Sequence, residues 1–365
     1  MNSYDPFLRG PHPVGVRTFH WTDETRQRTL PVEVWYPARE EYAGQDLDPT
    51  TQDHFQPVSI SPPVPQEAVR DATAADGGAR PLLLFSHGFG GTGRQTTHLC
   101  THWASHGYVV AAMDHVGNTT EDVMAAAGQP MDPATMVERL NSFVTDRPTD
   151  VSFVIDRMLA GDADLQIDPE RVGVSGHSFG GWTTLASAGN DNRVRAALPL
   201  APAGGQSRQW TSSIAGHLAD ALAMTWEREV PTLFLVAEHD AILPLDSMHD
   251  LIERTPHPRR AVNLLNADHF HFCDRVEETH DMVRMMGQMI FGGQQAEDPA
   301  AHSMLASMKP SAELCPGDHA YALLQGLGLA HMDAHVRQLD HAHALLEGDL
   351  ALLMAERGVA VEVMA

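Results

Sequence analysis

Short apolar runs separated by longer amphipathic stretches dominate the chain from Pro81 onward. PLLLFSHG, YVVAAMDH, RVGVSGHS, AALPLAP, TLFLVAEHD and AVNLLNADH are each too short for a helix, and each leads into a turn or helix signal. Strands that are apolar on both faces suit a mostly parallel sheet with helices on both sides, so an α/β fold is predicted. Upstream, VGVRTFHWTD (14–23) and LPVEVWYPA (30–38) alternate around a polar turn, which predicts an N-terminal antiparallel hairpin. Residues 43–80 are rich in Pro, Asp, Gln and Thr and have little periodicity. They read as a long loop that allows a helical turn around Gln66–Ala72.

Two stretches, 118–146 and 203–229, interrupt the alternation and read as helical cap insertions over a pocket. From about Ala300 the chain turns helical without strands, and YALLQGLGLAHMDAHVRQLDHAHALLEGDLALLMAER carries apolar residues at three and four spacing. This predicts a main domain over 1–299 and a C-terminal helical appendage over 300–365, which either packs on the core or makes a homodimer contact.

Composition narrows the partners. With 43% apolar residues the chain falls among globular proteins, and a net charge of −24 repels phosphate backbones and anionic headgroups. Nucleic acid and stable membrane association are therefore not expected. No apolar run approaches the roughly 18 residues of a membrane span, and the first residues lack a basic segment followed by an apolar one, so a cytoplasmic protein is the expectation. Cys100, Cys273 and Cys315 form no framework and no CxxC; Cys273 and Cys315 are the two available for a bridge in an exported chain.

Polar residues gather where the apolar runs end, and open α/β sheets carry their chemistry at the strands' carboxyl ends. Gly176-His177-Ser178-Phe179-Gly180 follows the strand RVGV and precedes the helix-like GGWTTLASA. A GxSxG turn in that context exposes a serine hydroxyl, and the glycines let strand and helix approach closely. Such a serine needs a histidine to take its proton and an acid to orient that histidine. In an α/β-hydrolase fold these follow in the order Ser, acid, His. Asp240, just past TLFLVAEH, is the favoured acid over Glu238. His269 and His271 both follow in LLNADHFHFCD, and spacing ranks His269 only narrowly ahead. If the strand continued through them, both histidines would share a face, with Phe270 and Phe272 on the other. The oxyanion hole is expected from the backbone N–H groups of Phe179 and of Phe89 in Ser86-His87-Gly88-Phe89-Gly90-Gly91.

GPHPVGVRTF, FSHGFGG, ASHGYVVAAMDHVGN, RPTDVSFVIDRM, GHSFGG and ADHFHF together resemble the plasma-type platelet-activating factor acetylhydrolases and the bacterial proteins labelled predicted dienelactone hydrolases. The likeness covers roughly residues 11–290. It implies an α/β-hydrolase with His269 as base and Phe89 and Phe179 as oxyanion donors. Two departures bear on the chemistry. The plasma enzymes take their acid after the strand that follows the nucleophile, where this chain reads AALPLAPAGG without a carboxylate, which favours Asp240. True dienelactone hydrolases use cysteine, whereas this elbow holds serine.

The sequence thus predicts a cofactor-free serine esterase acting on a small-molecule ester through Ser178, Asp240 and His269. His87, His115 and Trp182 are expected to line the substrate pocket, with Trp210 and Trp226 as further wall or core residues. His98, His102, His106, His331 and His335 recur at helical spacing without a third ligand in register, so no metal site is expected.

Overall fold

The structure, a computed structural model, describes residues 4–59, 61–126, 133–207, 213–291 and 307–364. The hairpin forms as expected: β1 (Val14–Asp23) pairs antiparallel with β2 (Arg28–Pro37). The following loop holds three short strands, β3 (Asp53–Phe55), β4 (Val64–Gln66) and β5 (Val69–Arg70). The helical turn around Gln66–Ala72 is therefore absent, because β5 pairs in parallel with β1. Tertiary contacts override local preference here. Gln66 Oε1 accepts from Trp35 Nε1 at 2.7 Å, and the Arg70 guanidinium donates to Asp53 and Glu33.

The six apolar runs are the parallel strands β6 (Arg80–Ser86), β7 (Val109–Met113), β8 (Ile167–His177), β9 (Val194–Leu200), β10 (Thr232–Ala237) and β11 (Arg259–Leu264). They lie in the order β11-β10-β9-β8-β6-β7, and β2, β1 and β5 extend the sheet beyond β7. Successive side chains of a strand point to opposite faces. Leu83 and Phe85 of β6 accordingly pack on one face with Leu99 and Trp103 of α1 (Thr97–Ser105). Leu82 and Leu84 pack on the other with Val151, Val154, Ile155 and Met158. These last four belong to a helix of 27 residues, Pro133–Leu159, which takes the label α3 after the short α2 (Thr120–Ala126). The 118–146 insertion is thus α2 and the first half of α3, whose second half covers the sheet. The 203–229 insertion carries the helix Ser213–Asp220, and Trp210 lies outside the described residues.

The C-terminal region packs on the core, one of the two courses expected of it. Helix Gly317–His335 is buried along nearly its whole length, with Leu323, Leu324, Leu327 and Met332 in the same core as Leu198, Leu200 and Trp103. Its apolar residues are taken up by the chain's own core. Gly326 permits the close approach: a Cβ there would sit 2.1 Å from the Phe7 ring. The region also ends in a strand that helical spacing did not reveal, β12 (Val361–Met364), antiparallel to β11. The expected boundary near 300 lies outside the described residues. Among the described residues, no helix is long and apolar enough to cross a membrane.

Candidate active site

Strand β8 runs directly into Ser178, which has φ 58° and ψ −117°, and helix α4 (Phe179–Asn190) starts at the next residue. A non-glycine residue in that region is strained and must be held by its surroundings. The Ser178 N–H donates to Leu200 O at 2.9 Å, and its carbonyl accepts from Ala203 N at 2.9 Å and Trp182 N at 3.1 Å. Both flanking glycines are sterically required. A Cβ on Gly180 would lie 1.8 Å from Ser86 O, and one on Gly176 would lie 2.4 Å from Gly180 O.

Asp240 and His269 lie on the loops after β10 and β11. His269 Nδ1–H donates to Asp240 Oδ2 at 2.7 Å, with both side chains almost fully buried. The other Asp240 oxygen accepts from Ile242 N at 2.9 Å and Leu243 N at 2.7 Å, which fixes the carboxylate. Glu238 instead accepts from Asn266 N, and its side chain is 39% exposed, so the acid paired with His269 is Asp240.

Strand β11 ends at Leu264, and residues His269–Phe272 form a 3-10 turn. The two histidines therefore do not share a face, contrary to the continued-strand expectation. His271 Nδ1 accepts from Asp268 N at 3.0 Å and its Nε2–H donates to Cys315 O at 3.0 Å, which commits the ring to the turn's own architecture. Burial lowers its pKa. Cys273 and Cys315 are both free thiols.

Sequence reasoning missed Asp268. Its Oδ1 accepts from His269 N at 2.6 Å and from Ala241 N at 3.0 Å, joining the base's backbone to the residue after the acid. Burial, and then the nearby Asp240 charge, push its carboxyl up, and its second oxygen is buried without a partner among the described residues. The available signal was an Asp directly before a short turn, an N-cap pattern.

The SHGFGG loop reaches Ser178: a Cβ on Gly88 would come within 3.3 Å of Ser178 Cβ. Gly88, Gly90 and Gly91 donate their N–H groups to Gln95 Oε1, Asn118 O and Gly88 O. Among the described residues the intervening Phe89 N–H has no acceptor. Phe179 is the first residue of α4, and the first N–H groups of a helix have no intrahelical partner. Both N–H groups are thus available to a developing negative charge.

Three expected pocket residues brace the site from inside. His87 is fully buried, and its Nε2 accepts from His115 N; His115 is 1% exposed, with both nitrogens engaged by Ser86 and Asp150. Trp182, also 1% exposed, donates Nε1–H to Leu218 O. Their polar atoms are committed to protein partners, so they do not line a substrate cavity. A cavity of about 500 Å³ lies beyond the oxyanion loop, lined by Glu33, Thr92, Arg94, Asp114 and Glu121, and includes none of Ser178, Asp240 and His269. Among the described residues no group of three His, Cys, Asp or Glu is placed to hold a metal ion.

A profile of the PET hydrolase-like family matches residues 72–290, which contain every residue of this site. Cutinase est1 of Thermobifida alba is 32% identical over 166 residues, 45% of this chain and 44% of that protein. Cutinase est2 of the same organism is 32% identical over 161 residues, covering 44% and 42%. The chain thus spans less than half the length of these curated relatives. A ferulic acid esterase from Streptomyces cinnamoneus superposes with a TM-score of 0.64 over 97% of this chain and 96% of that one, at 23% identity, a likeness of fold. The fold is that of the α/β-hydrolases, and the profile match over more than half of its length means that the chain belongs to the PET hydrolase-like family.

Proposed function

We propose that this protein is a serine carboxylic-ester hydrolase working through Ser178, His269 and Asp240. The observation that carries the reading is the buried 2.7 Å His269–Asp240 hydrogen bond, tied through His177 and the His269 carbonyl to the strained strand-to-helix elbow at Ser178. With Nδ1–H committed to Asp240, the other imidazole nitrogen is the one free to accept the Ser178 hydroxyl proton as its oxygen attacks the ester carbonyl. The Phe89 and Phe179 N–H groups receive the carbonyl oxygen as it becomes negative. His269 then returns the proton to the departing alkoxide, leaving an acyl group on Ser178. Water, deprotonated by His269, attacks that acyl group, and the proton passes back to Ser178 as the carboxylic acid leaves.

The same machinery serves amide, lactone, polyester and phospholipid acetyl ester bonds. Family membership and the cutinase relatives support a polyester substrate among these. The motif resemblance to the platelet-activating factor acetylhydrolases supports short acyl esters. An acyl-length profile of kcat/KM on p-nitrophenyl esters, together with release of soluble acid from polyester film, separates the two. Ser178→Ala should abolish p-nitrophenyl butyrate hydrolysis, and a fluorophosphonate probe should label wild-type protein at Ser178. Retention of most activity by the variant, or no labelling, would mean a different nucleophile or a binding protein.

A further inference from the structure

The RPTDVSFVIDRM segment, one of the motifs singled out in the sequence, lies in α3 and has no part in the triad. It supplies a guanidinium, Arg147, that is 1% exposed and touches both sides of the oxyanion hole. On one side it donates from NH2 to the carbonyl oxygen of His87, two residues before Phe89. On the other its Cζ lies 4.5 Å from the Phe179 ring centroid, and its Nε–H donates to Thr183 Oγ1 at 3.0 Å, one turn further along α4. Its NH1 donates to Asn118 Oδ1, and the Asn118 carbonyl in turn accepts from Gly90 N.

Behind Arg147 runs a one-directional chain of donors. Arg147 NH2 donates to Ser86 Oγ at 3.3 Å, Ser86 Oγ–H to His115 Nε2 at 2.9 Å, and His115 Nδ1–H to Asp150 Oδ2 at 2.9 Å. This is a second Ser-His-Asp arrangement, but its members are 2%, 1% and 0% exposed, so no substrate reaches it. Burial, then the Arg147 charge, drive His115 down to about 4, so the imidazole is neutral and its tautomer fixed. Asp150, held at about 2 with His115, Arg26 and Arg28 as partners, supplies the countercharge. Burial pulls Arg147 to about 9, which leaves it protonated at neutral pH.

We infer that Arg147 is a positioning residue that holds the Phe89 and Phe179 N–H groups in register for the oxyanion, through His87 O on one side and the Phe179 ring and Thr183 on the other. The inference rests on the esterase reading given above. The planar fork matters as much as the charge, because a lysine cannot reach His87, Asn118 and Thr183 at once. Small misplacements of such donors are costly, on the order of a hundredfold in rate.

The test compares Arg147→Lys and Thr183→Val with wild type, reading kcat and KM for p-nitrophenyl butyrate, affinity for an aryl trifluoromethyl ketone, and Tm. Arg147→Lys should lower kcat on the order of a hundredfold with KM nearly unchanged, and should weaken the ketone, which forms an oxyanion on Ser178, by a similar factor. Thr183→Val keeps the charge and the side-chain volume, and should show the same split at smaller size even if Arg147→Lys fails to fold. If the folded variants keep wild-type kcat and ketone affinity, or lose stability while their kcat and ketone affinity stay level, the inference is wrong. Wild-type protein that does not label at Ser178 with a fluorophosphonate overturns the esterase reading and this inference together. Labelled wild type with indifferent variants overturns the inference alone.

Discussion

His177, the residue before the elbow serine, donates its Nε2–H to the carbonyl oxygen of His269 at 3.0 Å, with the two rings 4.5 Å apart. The backbone of the base is thereby pinned to the strand that delivers the nucleophile. The tautomer is set by Gln95, whose Nε2–H donates to His177 Nδ1 at 2.9 Å while its Oε1 accepts from Gly88 N at 2.9 Å. One amide thus links the oxyanion loop, the elbow and the base. Gln95→Leu should cost about 1–3 kcal/mol of stability from the unsatisfied buried partners. It should also lower kcat for p-nitrophenyl butyrate more than it raises KM, read from thermal melts and steady-state kinetics.

The two histidines of the HFHF turn should separate cleanly. His269→Ala should lower kcat by about six orders of magnitude, the scale of losing the histidine of a triad, and should also lower Tm, because it leaves the buried Asp240 carboxylate without that partner. His271→Ala should spare turnover and lose stability alone. It removes the partners of the Asp268 N–H and the Cys315 carbonyl, costing about 1–3 kcal/mol, while the protein that remains folded keeps most of its turnover. Melting curves and active-site-titrated kcat distinguish the two outcomes.

Asp240→Asn should reduce kcat by about 10⁴, because an amide in that position favours the wrong imidazole tautomer. Glu238→Gln, at a side chain 39% exposed, should fall within about 0.5 kcal/mol of wild type in stability and leave kcat intact. Comparable losses in both variants would show that the acid is shared.

Acid should destabilise this protein well before its carboxylates titrate. Burial holds His87 and His177 far below the usual 6.5, His115 at about 4, and His102 and His331 at about 3. Their folded pKa values are depressed, so above about 6.5 both states are neutral and the stability is intact. Below that value the unfolded chain takes up protons that the folded chain refuses. Each such histidine then costs about 1.4 kcal/mol per pH unit until its own folded pKa is reached. Asp114 and Asp268 are raised and act in the opposite sense, but they are fewer. Differential scanning fluorimetry should show Tm falling steadily from pH 6.5 toward 4; a flat profile would mean that these rings protonate in place.

Much of the architecture was legible in the sequence because it rests on local pattern. The six parallel strands announce themselves as apolar runs, and the GxSxG turn as a spacing whose glycines the close approach of Ser86 O demands. What stayed hidden depends on partners distant in sequence. β5 forms because Arg70 finds Glu33 and Asp53, against the local turn preference. His87 and His115 looked like pocket residues because they end strands at the functional edge, and only packing shows them sealed in by Arg147 and Asp150. Helix Gly317–His335 read as an appendage because the chain turns helical there without strands, and spacing alone could not say whether its apolar residues meet the core or a second subunit. Gly326 admits Phe7, Gly328 lies against Leu198, and His331 Nε2–H donates to the Ala197 carbonyl, so these small and polar residues are themselves part of the burial.

Helix α3 also has a mechanical side. Its outer half carries Val137, 49% exposed, and its inner half is locked into the core by Val154, Ile155 and Met158. Between them, adjacent to Arg147, stands Pro148, which has no N–H to offer the Val144 carbonyl. The helix therefore lacks one backbone hydrogen bond next to the guanidinium that meets the His87 carbonyl and the Phe179 ring.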